Sequence, residues 1–168
     1  SQEQWLKQRE VIQREWLKFM GEFPKQRVPL KTEFLTKEDL PGFTRQYVKY
    51  QIEEGIFEDG YLLTPKNLTG KLPTIVVFHP TTPFQARGVA GLEPSYDAEK
   101  QQGVQLVQRG YVVWCPRNFI FDDGTGQKPN AAMWTANAKR IFKLHPKWTA
   151  MARMTFDAMR AADFVETL

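Results

Sequence analysis

Apolar positions along the chain change their period three times, and each change marks a different kind of element. Trp5, Ile12, Trp16, Phe19 and Met20 recur at helical spacing, and Gly21 with Pro24 closes the run, so residues 2–20 are predicted to be helical. A connection punctuated by Pro29 and by Pro41-Gly42 follows, with a short helical turn expected over Thr36 to Leu40. From Phe43 to Ile52 the period shortens to two, with Val48, Tyr50 and Ile52 set against Tyr47, Lys49 and Gln51. Ile56 to Thr64 reads as a second strand, joined to the first by Glu53-Glu54-Gly55, and Asp59-Gly60 suggests a bulge or turn inside it. An antiparallel hairpin is expected.

Leu72 to Phe78 is different, being almost continuously apolar and rich in β-branched residues, as in a strand buried on both faces of a parallel sheet. A loop over Pro80 to Pro94 leads to a helix expected from Ser95 to Arg109, with Ser95 as its N-cap and Gly110 as its stop. Tyr111 to Pro116 is a second buried strand, which makes a βαβ unit with a right-handed crossover. A loop rich in Asp, Gly and Asn runs from Asn118 to Asn130, a helix is expected over 132–142, and the clearest helix starts at Pro146 and runs to about Thr167. Its predicted inner face is Trp148, Met151, Thr155, Ala158, Ala162 and Val165, while Arg153/Asp157 and Arg160/Asp163 are spaced for ion pairs on the other.

The expectation is therefore an α/β fold, in which an N-terminal antiparallel hairpin leads into a mostly parallel sheet flanked by helices. Residues 1–40 form a helix and connecting segment, and residues 41–168 the α/β domain. Two parallel strands cannot bury both faces of a sheet well, and the last helix has no strand after it. The chain reads as cut at an element boundary.

Composition narrows this picture little. Of the 168 residues 42% are hydrophobic and 13% aromatic, including 12 Phe and 5 Trp, which suits a packed core and excludes a disordered chain. The formal net charge of +4 is spread among interleaved acids and bases; even the densest basic stretch, Lys139, Arg140, Lys143 and Lys147, has no nucleic-acid motif beside it. No nucleic-acid partner is expected, and no run of about 18 apolar residues suggests a membrane span. The one cysteine, Cys115, follows Val112, Val113 and Trp114 and reads as a buried strand thiol. Asn67-Leu68-Thr69 matches a glycosylation sequon; the compartment stays open between cytoplasm and secretion after leader removal.

The order of hairpin, apolar strand ending in His79-Pro80, helix, and the run Arg109 to Asn118 ("RGYVVWCPRN") resembles the α/β-hydrolases. In particular it is similar to the dienelactone-hydrolase and acetyl-xylan-esterase-like branch. The stretch Trp148 to Leu168 looks like the helix that, in the family, precedes the strand ending in a Gly-x-Ser-x-Gly elbow. The resemblance covers roughly residues 40–168. It implies hydrolysis of a carboxylic ester, with an acetylated carbohydrate as one candidate substrate, by a Ser-His-Asp/Glu triad, with no cofactor and no metal.

The chain carries none of that triad. Serine occurs only at Ser1 and Ser95, neither flanked by glycines, and Cys115 has neither elbow nor base. His79 and His145 both precede the point where the family's catalytic histidine would stand, and His145 is read as marking a helix start before Pro146. The resemblance does imply an oxyanion-hole amide in the loop after the third strand, here His79-Pro80-Thr81-Thr82-Pro83-Phe84. Pro80 replaces the usual Gly, and neither it nor Pro83 has an N–H, which leaves Thr81 or Thr82 as donor. His79 is expected to brace that loop. Phe119, Phe121 and Trp134 are candidate pocket-lining residues; Asp122, Asp123 and Asp157 lack metal-site spacing.

Two functions stay open. In one, the chain is the inactive N-terminal part of an esterase whose triad lies beyond Leu168. In the other, it is a non-catalytic binding domain that pairs its open sheet edge with another chain. A third, flavodoxin-like reading lacks the phosphate-binding Gly loop it needs.

Overall fold

The computed structural model describes residues 1–66, 70–121 and 130–168. The sequon at 67–69 and the acidic pair Asp122-Asp123 lie outside them. Five strands, β1 (Glu33–Leu40), β2 (Phe43–Glu53), β3 (Ile56–Pro65), β4 (Thr74–Val76) and β5 (Val112–Pro116), make one sheet in the order β1-β2-β3-β5-β4. The helices are α1 (Gln2–Met20), α2 (Gln85–Val89), α3 (Gln102–Val107), α4 (Ala131–Leu144) and α5 (Ala150–Val165). The predicted mixed α/β architecture is the observed one.

The β2–β3 hairpin forms as expected, with Val48 opposite Gly60 and Tyr47 opposite Tyr61. Antiparallel β3–β5 and parallel β4–β5 pairings then place β5 in the interior of the sheet. Because strand side chains alternate, the sheet has two cores. One face packs Phe43, Leu63, Val113 and Cys115 against Val89, Ala90 and Val107 from the α2–α3 region. The other packs Val48, Tyr50, Ile52, Leu62 and Trp114 against Ala161 and Phe164 of α5. Phe164 stacks on Tyr50 at a centroid distance of 4.9 Å and meets the Trp114 ring edge-on at the same distance.

Several expectations need correction. Thr36 to Leu40 is not a helical turn but the end of β1, an exposed edge strand with a bulge between Phe34 and Lys37; it is held to β2 by its backbone ladder and by Arg45 donating to Glu38 at 2.8 Å, and its side chains stay exposed up to the half-buried Leu40. The sheet thus begins inside the segment expected to be a connection. Asp59-Gly60 makes no turn, because β3 continues through it. A Cβ at Gly60 would strike the carbonyl of Cys115 and lie 2.8 Å from Pro116 Cα, so the glycine lets β5 approach. The helix expected from Ser95 to Arg109 is a 3-10 turn, Ala98–Lys100, followed by α3, and Ser95 caps neither. α2 lies inside the expected loop. His145 closes α4 rather than opening the next helix, and α5 is capped by Thr149, whose hydroxyl accepts from the Ala152 N–H at 3.1 Å. Of the apolar positions that predict α1, only Met20 is buried.

The largest difference concerns α5. Its inner face is Ala152, Arg153, Phe156, Asp157, Arg160, Ala161 and Phe164, while Met151 and Ala162 are exposed. Three charged residues therefore face the sheet. Arg153 donates to Glu53 Oε1 at 2.5 Å and to Asp157 Oδ2 at 3.0 Å; Glu53 Oε2 also lies 2.6 Å from His145 Nε2. Arg160 donates to Asp163 and to the carbonyls of Val28 and Gln51. Burying a charge is tolerable only with such partners. Glu58, on the same face of β3, accepts the Tyr50 hydroxyl at 2.6 Å.

Burial raises the Glu58 carboxyl well above its usual range, and the nearby Asp157 charge adds to the shift. Burial likewise raises Asp157 to about 6, against the pull of Arg153. A carboxyl raised in the folded state contributes most when both states are protonated and loses that contribution as the unfolded chain ionises first. Stability should thus fall as pH rises from about 4 through 6, as Asp157 ionises first in the unfolded chain. Glu58→Gln, which keeps the shape without the charge, should be more stable than the parent at pH 8 and equal to it at pH 4, read by urea denaturation. Gly60→Ala should lose about 2–3 kcal/mol at any pH by overpacking against β5, with the urea m-value unchanged.

Candidate active site

The parallel strands β4 and β5 end at the same edge of the sheet, and the loops after them meet there. In open α/β sheets this carboxyl edge is where ligands bind. After β4, Val77 still bonds to β5 through its N–H to the Trp114 carbonyl at 2.8 Å, and the chain then turns through His79. After β5, Arg117 and Asn118 lead into a 3-10 turn at Phe119–Phe121. The Asn118 side chain accepts from the Ile120 N–H at 3.0 Å, and Asn137 of α4 donates to the Ile120 carbonyl at 3.0 Å, so the turn is held from both ends.

His79 links the two loops. Its Nε2 lies 3.1 Å from the Asn118 backbone nitrogen, and its Nδ1 lies 2.9 Å from the Pro80 carbonyl. Its pKa is lowered, chiefly by burial and further by the Arg117 charge, against the Pro80 bond that favours the proton. A neutral imidazole with both nitrogens engaged in backbone bonds is a brace.

Beyond His79, Thr81 is exposed and Thr82 half-buried. Neither backbone N–H donates to an acceptor among the described residues, and the Thr82 hydroxyl is buried without a partner. The Thr82 carbonyl accepts from the Gln85 N–H at 3.3 Å, and Gln85 has φ 52°, a left-handed conformation uncommon for a residue with a side chain. The turn into α2 is thus tight, and among the described residues its Thr81 and Thr82 amides are not used within the fold.

The aromatic candidates divide. Phe121 packs edge-on to His79, with ring centroids 5.2 Å apart, and Trp134 packs edge-on to Phe121 at 6.0 Å. These three form a continuous wall, in which Phe121 is buried and the Trp134 indole N–H has no partner among the described residues. Phe119 turns away from it, to the Arg153 guanidinium at 6.0 Å and a shallow cleft it shares with Ile52, Glu58, Arg140 and Asp157. Asp157 serves the ion network and is remote from any metal role; among the described residues no group of three or more His, Cys, Asp or Glu side chains could hold a metal ion. Cys115 is buried in β5, and burial pushes its thiol pKa up, away from nucleophilic use. Among the described residues no helix is long and apolar enough to cross a membrane.

Sequence reasoning missed Asn118 and Asn137, whose roles depend on a turn rather than a motif. The Asn118-to-Ile120 bond is a short-range Asx contact, and Asn followed by apolar residues was its one available signal.

No family model and no curated protein matches the chain. Solved structures do. A protein of Bacteroides fragilis assigned as an acetyl xylan esterase superposes with a TM-score of 0.71 at 16% identity, covering 95% of this chain and 42% of its own. A glucuronoyl esterase of Solibacter usitatus superposes with a TM-score of 0.55 at 16% identity, covering 90% of this chain and 45% of its own. The chain spans less than half the length of either. At this identity the likeness is one of fold: over these 168 residues the chain shares a mixed α/β architecture with part of each of these two structures.

Proposed function

We propose that this chain supplies the sheet and the oxyanion loop of a carboxylic-ester hydrolase, with a Ser-His-Asp/Glu triad contributed by polypeptide beyond Leu168. The observation that carries the reading is the pair of undirected amides at Thr81 and Thr82, at the carboxyl edge of β4 on a loop braced by His79. Amides fixed before reaction stabilise charge that develops on a carbonyl oxygen without reorganising at the moment of attack. Pro80 donates nothing, but its carbonyl holds His79, so its presence is compatible with the role. The substrate class is an acetylated carbohydrate: the fold neighbours are an esterase assigned to acetyl xylan and a glucuronoyl esterase, and the half-buried Trp134, backed by the buried Phe121, suits a sugar's apolar face. Trp134 and the loop then act on one substrate, the indole orienting it and the amides taking the oxyanion.

A second reading has its own observation. β4 pairs only with β5, so among the described residues one of its edges is open. On that reading the edge recruits a strand from another chain and the domain is a non-catalytic binding module.

Two polypeptides compared side by side separate these readings. The polypeptide extended by the residues its gene encodes after Leu168 should hydrolyse p-nitrophenyl acetate, and the 168-residue chain should not. Within the extended protein, Thr81→Pro or Thr82→Pro, whichever removes the working amide, should lower kcat by about 10²–10³ with little change in KM. Folded proline variants that both keep parental kcat would overturn the oxyanion assignment. A gene with a stop codon after Leu168 would leave the binding module as the better account.

A further inference from the structure

We propose that Asp59 and Arg117 are a positioning pair that sets the oxyanion loop through Asn118 and His79. The pair lies outside the loop, on β3 and just after β5. Arg117 donates through Nε to Asp59 Oδ1 at 2.8 Å and through Nη2 to Oδ2, and its backbone N–H donates to the Asp59 carbonyl at 2.8 Å. Three bonds to one residue fix the chain where it leaves β5. Both side chains are largely buried, 21% and 16% exposed, so the fork is shielded from competing water.

The next residue carries the constraint onward. The Asn118 backbone nitrogen can only donate, so His79 Nε2 must accept and cannot hold a hydrogen. The proton then resides on Nδ1, where it is donated to the Pro80 carbonyl. One bond therefore selects the tautomer that makes the other. Asp59 orients Arg117, Arg117 fixes the Asn118 N–H, that N–H sets the His79 tautomer, and the tautomer ties down Pro80, next to Thr81. None of the four touches a substrate under this reading; they act through the loop. Burial and the Arg117 charge keep His79 neutral, which preserves the chain of bonds at ordinary pH. If His79 were protonated, Nε2 would present a hydrogen to the Asn118 N–H and the link would break.

The inference rests on the proposed esterase function only for its consequence, since the linkage itself can be read in the 168-residue chain. Nitrogen-15 NMR of the imidazole should show the Nδ1–H tautomer at neutral pH. Asp59→Asn and Arg117→Lys should each convert His79 to a mixture of tautomers and shift the Thr81 and Thr82 amide resonances. The double variant should add nothing beyond the larger single effect, because both act through one bond. The proposal is overturned by an Nε2–H tautomer in the parent chain, which needs no variant. It is equally overturned by additive effects of the two substitutions, or by amide shifts without a tautomer change. In the extended protein, Asp59→Asn should lower kcat about tenfold and leave KM unchanged. A normal tautomer response without that loss would fault the esterase reading and leave the linkage standing.

Discussion

A strand with no edge exposed and no face in water has to satisfy every backbone group and every side chain from its neighbours at once, and β5 is in that position. Its backbone is taken up on one side by antiparallel β3 and on the other by parallel β4. Its side chains alternate between the two cores, Val113 and Cys115 toward α2 and α3, Trp114 toward α5. The close approach requires a glycine at position 60 and an unbroken β3 opposite. The geometry of the candidate site follows from where β5 stops, because Arg117 and Asn118 leave it at the edge where the loop after β4 also turns. A slip of one residue in the β3–β5 register would exchange the two faces of β5 and remove Asn118 from His79 together.

The second organising feature is electrostatic and lies on the α5 face. A helix packed on a sheet usually presents an apolar stripe. α5 presents apolar residues along its length, Ala152, Phe156, Ala161 and Phe164, and beside them a charged seam, Arg153, Asp157 and Arg160. Both match what lies beneath: Tyr50 and Trp114 accept Ala161 and Phe164, while Glu53 and Glu58 meet Arg153 and Asp157 and the Gln51 carbonyl takes Arg160. The seam fixes how α5 is rotated, since turning the helix by one residue would carry Arg153 away from Glu53 and leave it only Asp157 of its own helix. Such specificity costs desolvation, and the raised carboxyl pKa values of Glu58 and Asp157 are its visible trace.

Much of this was legible in the sequence, and the failures have physical causes. Alternation from Phe43 to Ile52 identified the residues that meet α5, because Val48, Tyr50 and Ile52 are apolar and their burial leaves a period-two record. β1 left none. Every side chain from Glu33 to Asp39 is exposed, so the strand exists through its backbone ladder, and hydropathy does not report a ladder. The face of α5 was misjudged by a related route: a search for apolar spacing selects Met151 and Ala162 and is blind to a seam whose buried members are Arg and Asp. The aromatic wall was legible as a set but not as a geometry, for nothing in the spacing of Phe119 and Phe121 says that the two ends of one 3-10 turn send one ring to Arg153 and the other to His79.

Pro80 illustrates how a loop can be stiffened and still take part in its own bracing. A glycine at that point would give the turn conformational freedom and an additional N–H. Proline removes both, and the loop contains a second at Pro83. The freedom lost is an advantage where amides must stand still, because a donor that is already fixed gives up little entropy when a charge develops beside it. The N–H lost is not missed in the bracing, since the bond that holds this turn uses the Pro80 carbonyl, with His79 as donor. What this bracing does require is a histidine in one tautomer. That requirement reaches back through Asn118 to the end of β5, and so to the strand on which the sheet is built.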